Sequence, residues 1–203
     1  MASVHGDLKQ LEKALNKNIN QVEVLDADGC SPLFLACREG HVELIPPLLK
    51  AEANPNTPNK HGCTPLHVAC ELGDVEVVRL LLRNKADWTI CDSKGRSALL
   101  IAAGLGHAKV VEALLAAGAE VDVGVKHNPG CTSLQLSAEK GHAAVVSVLL
   151  AGGANSLAKD DRGCTPLHAG TNQSSSLHTY PLHSALCYQW TSFHHHVHHL
   201  CYL

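Results

Sequence analysis

Glycines recur at Gly29, Gly62, Gly95, Gly130 and Gly163, with spacings of 33, 33, 35 and 33 residues. A second series, Gly40, Gly73, Gly106 and Gly141, trails the first by eleven residues and keeps its spacings. Two series locked at this period define a chain built from one small unit used repeatedly, and they limit the fold to a stacked array.

The text between the glycines explains how one unit folds. The clearest copy reads Gly62-Cys-Thr-Pro-Leu-His-Val-Ala-Cys-Glu-Leu-Gly73, then Asp74-Val-Glu-Val-Val-Arg-Leu-Leu-Leu82. Gly62 suits the positive φ of a tight turn. Thr64 is a good N-cap, and Pro65 belongs at a first helical position, where its missing N–H costs nothing. Leu66, Ala69 and Cys70 stand at i, i+3 and i+4 and give a short helix one apolar stripe. Gly73 ends that helix. Asp74 caps a second helix whose seam is Val77, Val78, Leu81 and Leu82. Neither helix can hide its apolar face alone, so units must stack.

This pattern resembles the ankyrin repeat, a β-turn finger followed by two antiparallel helices and a loop to the next finger. The resemblance runs from about residue 4 to residue 169. It implies an all-α solenoid of helix-turn-helix units with β-turn fingers, ending in an irregular C-terminal tail. Residues 1–27 form an N-terminal capping half-repeat, and four full units follow at 28–60, 61–93, 94–128 and 129–161. A fifth unit, truncated at 162–169, opens with Thr165-Pro-Leu-His168, and residues 170–203 are a non-repeat tail rich in His and aromatic residues. The resemblance also implies that His67 and His168 bond the capping threonine and a neighbouring backbone. His41, His107 and His142, each after a second-series glycine, begin outer helices.

The units depart from one another in informative ways. The third reads Ser97-Ala-Leu-Leu100 and the fourth Thr132-Ser-Leu-Gln135, without proline or histidine. Their first helices are expected to start less rigidly. In the first unit Pro46 and Pro47 fall within the second helix, where an interior proline costs about 3 kcal/mol. A kink or a late start is expected there. The finger between the third and fourth units is two residues longer, which suits a surface loop.

Composition excludes several classes. The 203 residues are 45% apolar, enough for a continuous core and unlike a disordered tail. Lys plus Arg (16) nearly balance Asp plus Glu (19), so no strong field favours nucleic acid or anionic lipid. No signal-like or membrane-length apolar run is present in the sequence, and the expected location is cytoplasmic, with the nucleus open. Nine cysteines, none in a C-x-x-C pair, read as free thiols of a reducing compartment. Neighbouring helices pack about 8–10 Å apart, beyond the roughly 7 Å Cα limit of a disulfide, so Cys30 and Cys63 should not cross-link.

The same sequence offers no catalytic constellation. It holds no G-x-S-x-G, Walker loop or H-E-x-x-H. Gly104-Leu-Gly106 follows a helix rather than a strand and belongs to the helix-ending series. No catalytic residue, cofactor or dedicated metal ligand is expected. The tract His194-His-His-Val-His-His199 could bind zinc, nickel or copper, but it lacks a fixed ligand geometry. Metal binding through that tract is one alternative function, and a targeting segment of a larger enzyme complex is another.

The resemblance places binding on the concave face, made of finger tips and the exposed ends of inner helices. Before the second-series glycines the units read Arg38-Glu39, Glu71-Leu72, Gly104-Leu105 and Glu139-Lys140. Leu72 and Leu105 thus sit between charged outer units, either as an apolar centre with a polar rim or as two solitary surface leucines. The fingers add Lys60, His61 and Cys63, then Lys94 and Arg96, a mildly basic strip. The reading is a monomeric, non-enzymatic scaffold or adaptor for a protein of acidic or mixed charge with an apolar anchor, and not for nucleic acid or membrane.

The tail breaks the pattern. Residues 180–203 hold five of the seven aromatics and no glycine, acidic residue or lysine. Without a polar terminal cap, Leu149 and Leu150 are expected to be poorly covered, with the tail either folding back over them or leaving that end frayed.

Overall fold

The structure, a computed structural model, describes residues 22–125 and 128–171. The half-repeat up to residue 21 and the tail from residue 172, with its histidine tract, lie outside the described residues. Inner helices are α1 (Pro32–Arg38), α3 (Pro65–Leu72), α5 (Ala98–Leu105), α7 (Ser133–Glu139) and α9 (Pro166–Thr171). Outer helices are α2 (Ile45–Lys50), α4 (Val75–Arg83), α6 (Ala108–Ala116) and α8 (Ala143–Ala151). Each inner helix packs on the next inner helix, and each inner helix from α1 to α7 also packs on its own outer helix. The outer layer is continuous from α4 through α6 to α8. The stacked solenoid expected from the period is therefore the observed fold.

One hydrophobic cluster runs along the stack, from Val22 through Leu33, Leu66, Leu99 and Leu134 to Leu149 and Ala154. Fully burying each such leucine stabilises by roughly 1.5–3 kcal/mol. Because the leucines come from successive units, each unit completes the core of its neighbours. Leu149 and Leu150 are both buried; the alternatives expected for the tail lie outside the described residues.

Helix starts follow local chemistry. Asp74 accepts from the N–H groups of Glu76 and Val77, each at 3.1 Å, and so opens α4. Ser97 accepts from Leu100 N–H at 3.3 Å, and Thr132 from Gln135 N–H at 3.2 Å. The third and fourth inner helices are thus capped despite lacking proline. In the first unit a 3₁₀ turn, Val42–Leu44, precedes α2. The late start puts Pro46 and Pro47 in the first turn of α2, where few hydrogen bonds are lost.

The longer finger between the third and fourth units adds the small antiparallel pair β1 (Gly124–Val125) and β2 (Asn128–Thr132). Among the described residues it is the one two-stranded sheet, and the finger of the third unit carries a single bridge between Cys91 and Ser97.

Candidate interaction surface

Four of the fingers are each closed by one short polar side chain. Asp26 Oδ1 accepts from Asp28 and Cys30 N–H, and Asn59 Oδ1 from His61 and Cys63 N–H. Asp92 Oδ1 accepts from Lys94 and Arg96 N–H, and Asp160 Oδ1 from Arg162 and Cys164 N–H. These loops are therefore turns closed from within. Successive fingers are joined by main chain: Lys60 N–H donates to Asp28 C=O at 3.0 Å, and Ser93 N–H to His61 C=O at 2.9 Å.

Histidines link units at both ends of the inner helices. His67 Nδ1 accepts from Thr64 N–H at 3.1 Å, so Nε2 carries the proton and donates to Arg96 C=O at 3.2 Å. Burial holds the His67 imidazole below its ordinary pKa, against an opposing pull from the Arg96 carbonyl. His107 Nε2 meets Glu71 C=O and His142 Nε2 meets Gly104 C=O, both at 3.2 Å. Gln135 takes half of the role of His67 in the fourth unit: its Nε2 donates to Cys164 C=O at 2.6 Å, while its buried Oε1 meets no partner.

The residues expected to form the surface are distributed over the fingers and the inner-helix ends. Lys60, His61 and Lys94 are exposed on the fingers, and Cys63 is half-buried beside them. Glu71 and Leu72 end α3, Leu105 ends α5, Glu139 ends α7, and Lys140 follows it, all exposed. Leu72 is 54% exposed and Leu105 45%, in adjacent units of the inner layer. Burial raises the Cys63 thiol pKa; Asp92 and Glu71 raise it further while Arg96 and Lys94 oppose them. Cys131 behaves alike, raised by burial and then by Glu139 and Asp160.

Arg96 is not a free cation. Its Nη2 lies 2.7 Å and its Nε 2.8 Å from Asp92 Oδ2, and the Asp92 side chain is only 2% exposed. Burial pushes the Asp92 carboxyl up, but the Arg96 N–H and guanidinium outweigh it and hold the group below its usual range. The basic strip therefore rests on Lys60 and Lys94, with His61 between. Arg38 is similarly paired with Glu39 at 2.9 Å.

Lys140 belongs to the surface in a way its position in the chain did not reveal. A Cβ placed on Gly104 would lie 3.8 Å from Lys140 Nζ and 2.7 Å from Leu136 Cδ2. The fourth unit thus leans its ammonium and Leu136 over the bare backbone beside Leu105. A larger side chain at Gly104 would collide with Leu136.

The seven cysteines among the described residues are unpaired thiols. Cys37 and Cys70 are core side chains; burial pushes the Cys37 thiol up to about 12, and Cys70 still higher. Among the described residues no cluster of three or more His, Cys, Asp or Glu could hold a metal ion, and no helix is long and apolar enough to cross a membrane.

The chain belongs to the ankyrin-repeat family: the family model for ankyrin repeats (3 copies) matches residues 1–92, 73–125 and 99–180. Among solved structures it is similar to the ankyrin repeat domain of Bcl-3, described as a unique member of the IkappaB protein family. The two share 26% identity and a TM-score of 0.81 over 92% of this chain and 82% of that one. No curated protein sequence matches. Ankyrin repeats are in general protein–protein interaction modules, and this chain is a binding protein of that class.

Proposed function

We propose that the chain is a non-enzymatic scaffold that holds a partner protein on its concave face, as a monomer in the cytoplasm. The supporting observation is the exposure of Leu72 and Leu105 on neighbouring inner-helix ends, flanked by charged residues. Lys60, His61 and Lys94 form one rim, and Glu71, Glu139 and Lys140 supply charges of both signs on the floor. An apolar centre inside a polar rim is the usual anatomy of a protein interface. The rim favours a partner of mixed charge, with acidic residues towards the fingers. A preformed groove loses little conformational freedom when it binds, which helps a modest contact area hold a partner.

The test is the pair Leu72→Glu and Leu105→Glu, introduced together. Both side chains point to solvent, so circular dichroism and the melting temperature should be preserved. Loss of partner association with an intact fold supports the proposal; undiminished association contradicts it.

A further inference from the structure

Successive loops of the stack are sewn together by one side chain per unit, and the third loop lacks its stitch. Asn54 N–H donates to Glu23 Oε1 at 2.7 Å, Asp87 N–H to Asn56 Oδ1 at 2.7 Å, and Asn155 N–H to Asp122 Oδ1 at 3.0 Å. The acceptors Glu23, Asn56 and Asp122 share one position of the repeat, and Thr89 occupies that position between Asn56 and Asp122. Thr89 does not reach forward. Its hydroxyl donates to Asp87 Oδ1 at 2.6 Å, inside its own turn. Among the described residues the Glu120 N–H, which corresponds to that of Asp87, meets no acceptor.

Asn56 shows what the missing group does. Its Oδ1 takes the Asp87 N–H while its Nδ2 donates to Lys85 C=O at 3.1 Å, so one carboxamide clamps both ends of a loop. Gly118, at φ +92°, stands in register with Lys85, at φ +65°, and no bond to its carbonyl is found among the described residues. Glu120 N–H and Gly118 C=O are thus a donor and an acceptor in the same relation as the pair that Asn56 bridges. Beside them lies a pocket of about 90 Å³ whose lining includes Trp88, Leu99, Ala119 and Val123 together with the polar Thr89, Ser97 and Glu120.

We infer that this gap is a recognition slot for a carboxamide, filled by an asparagine or glutamine side chain of a partner segment. The carboxamide oxygen accepts from Glu120 N–H, its NH₂ donates to Gly118 C=O, and the methylene stem lies against the apolar walls. A carboxylate can take only one of the two bonds, the one from Glu120 N–H, as Glu23 and Asp122 do in their own loops. It has no proton for Gly118, and Glu120 and Asp87 stand nearby with like charge. The slot lies at the loop side of the stack, so it adds a contact beyond the leucine groove and does not depend on it.

The probe is N-acetylglutamine N-methylamide titrated into ¹⁵N-labelled full-length protein, with N-acetylglutamate N-methylamide as its charged counterpart. Saturable shifts at the Glu120 N–H and the Trp88 indole N–H are expected, with the glutamate probe at least about tenfold weaker. Thr89→Asn should abolish them, because the protein's own carboxamide then fills the slot, whereas Thr89→Ala should keep them. No saturable shift, equal binding of the two probes, or shifts that survive in Thr89→Asn would each overturn the inference. Leu72→Glu leaves these shifts unchanged, which separates this slot from the groove.

Discussion

His67 Nε2 lies 3.2 Å from the carbonyl oxygen of Arg96, so a ring on one inner helix holds the finger of the next unit. The same ring accepts from Thr64 N–H, and its unit therefore shares both a helix start and an inter-unit tie in one buried side chain. Replacing it with alanine leaves the Thr64 N–H without its acceptor and cuts the tie to the next unit, while Arg96 C=O keeps the Asp92 N–H. His67→Ala should cost about 1–3 kcal/mol, the cost of one orphaned buried group. His67→Gln should recover the inter-unit part of this and not the Thr64 N–H bond, because Gln135 makes the equivalent bond to Cys164 C=O while its Oε1 meets no partner. Thermal or urea melts of the two variants measure the difference.

The same residue sets a pH response. Burial lowers the folded-state pKa of His67 from its ordinary 6.5. The unfolded chain therefore takes up the proton first as pH falls, and stability declines through and below pH 6.5 until the folded-state pKa is passed. Above pH 6.5 this contribution is complete. Melting temperatures recorded from pH 8 to pH 5 should fall for the native chain and fall less steeply for His67→Gln.

Two turn glycines separate conformational cost from crowding. Gly73 has φ +74°, and a Cβ there would lie 2.6 Å from His107 Nδ1. Gly141 has φ +77° with nothing within 4 Å. Gly141→Ala should cost about 1–2 kcal/mol from the left-handed backbone alone. Gly73→Ala should cost more, because the ring that bonds Glu71 C=O must also move. Comparing the two by chemical denaturation checks the order.

Much of this was legible in the glycine register. The two series placed the turns, and Thr64, Asp74, Ser97 and Thr132 marked helix starts that the structure bears out. The exposure of Leu72 and Leu105 followed from their place just before a helix-ending glycine. The ion pair of Arg96 was not legible, because Asp92 reaches it only once the finger closes on itself. Gln135 hid for a related reason: its sequence reads as the loss of a histidine, although its amide spans the same gap. Lys140 was seen at its own helix end, while its ammonium reaches back over Gly104 in the preceding unit. The offset start of α2 could be foreseen only as one of two outcomes, since proline spacing alone does not say which bonds are given up.

The most direct test of the binding face is photo-crosslinking of the full chain with p-benzoylphenylalanine at positions 72 and 105, compared with positions 79 and 112 on the outer helices. All four sites are exposed, so each can report a partner that approaches it. Crosslinked adducts of one partner from positions 72 and 105, without them from 79 and 112, are the predicted result. Adducts that form from 79 and 112 and not from 72 and 105 would contradict binding on the concave face.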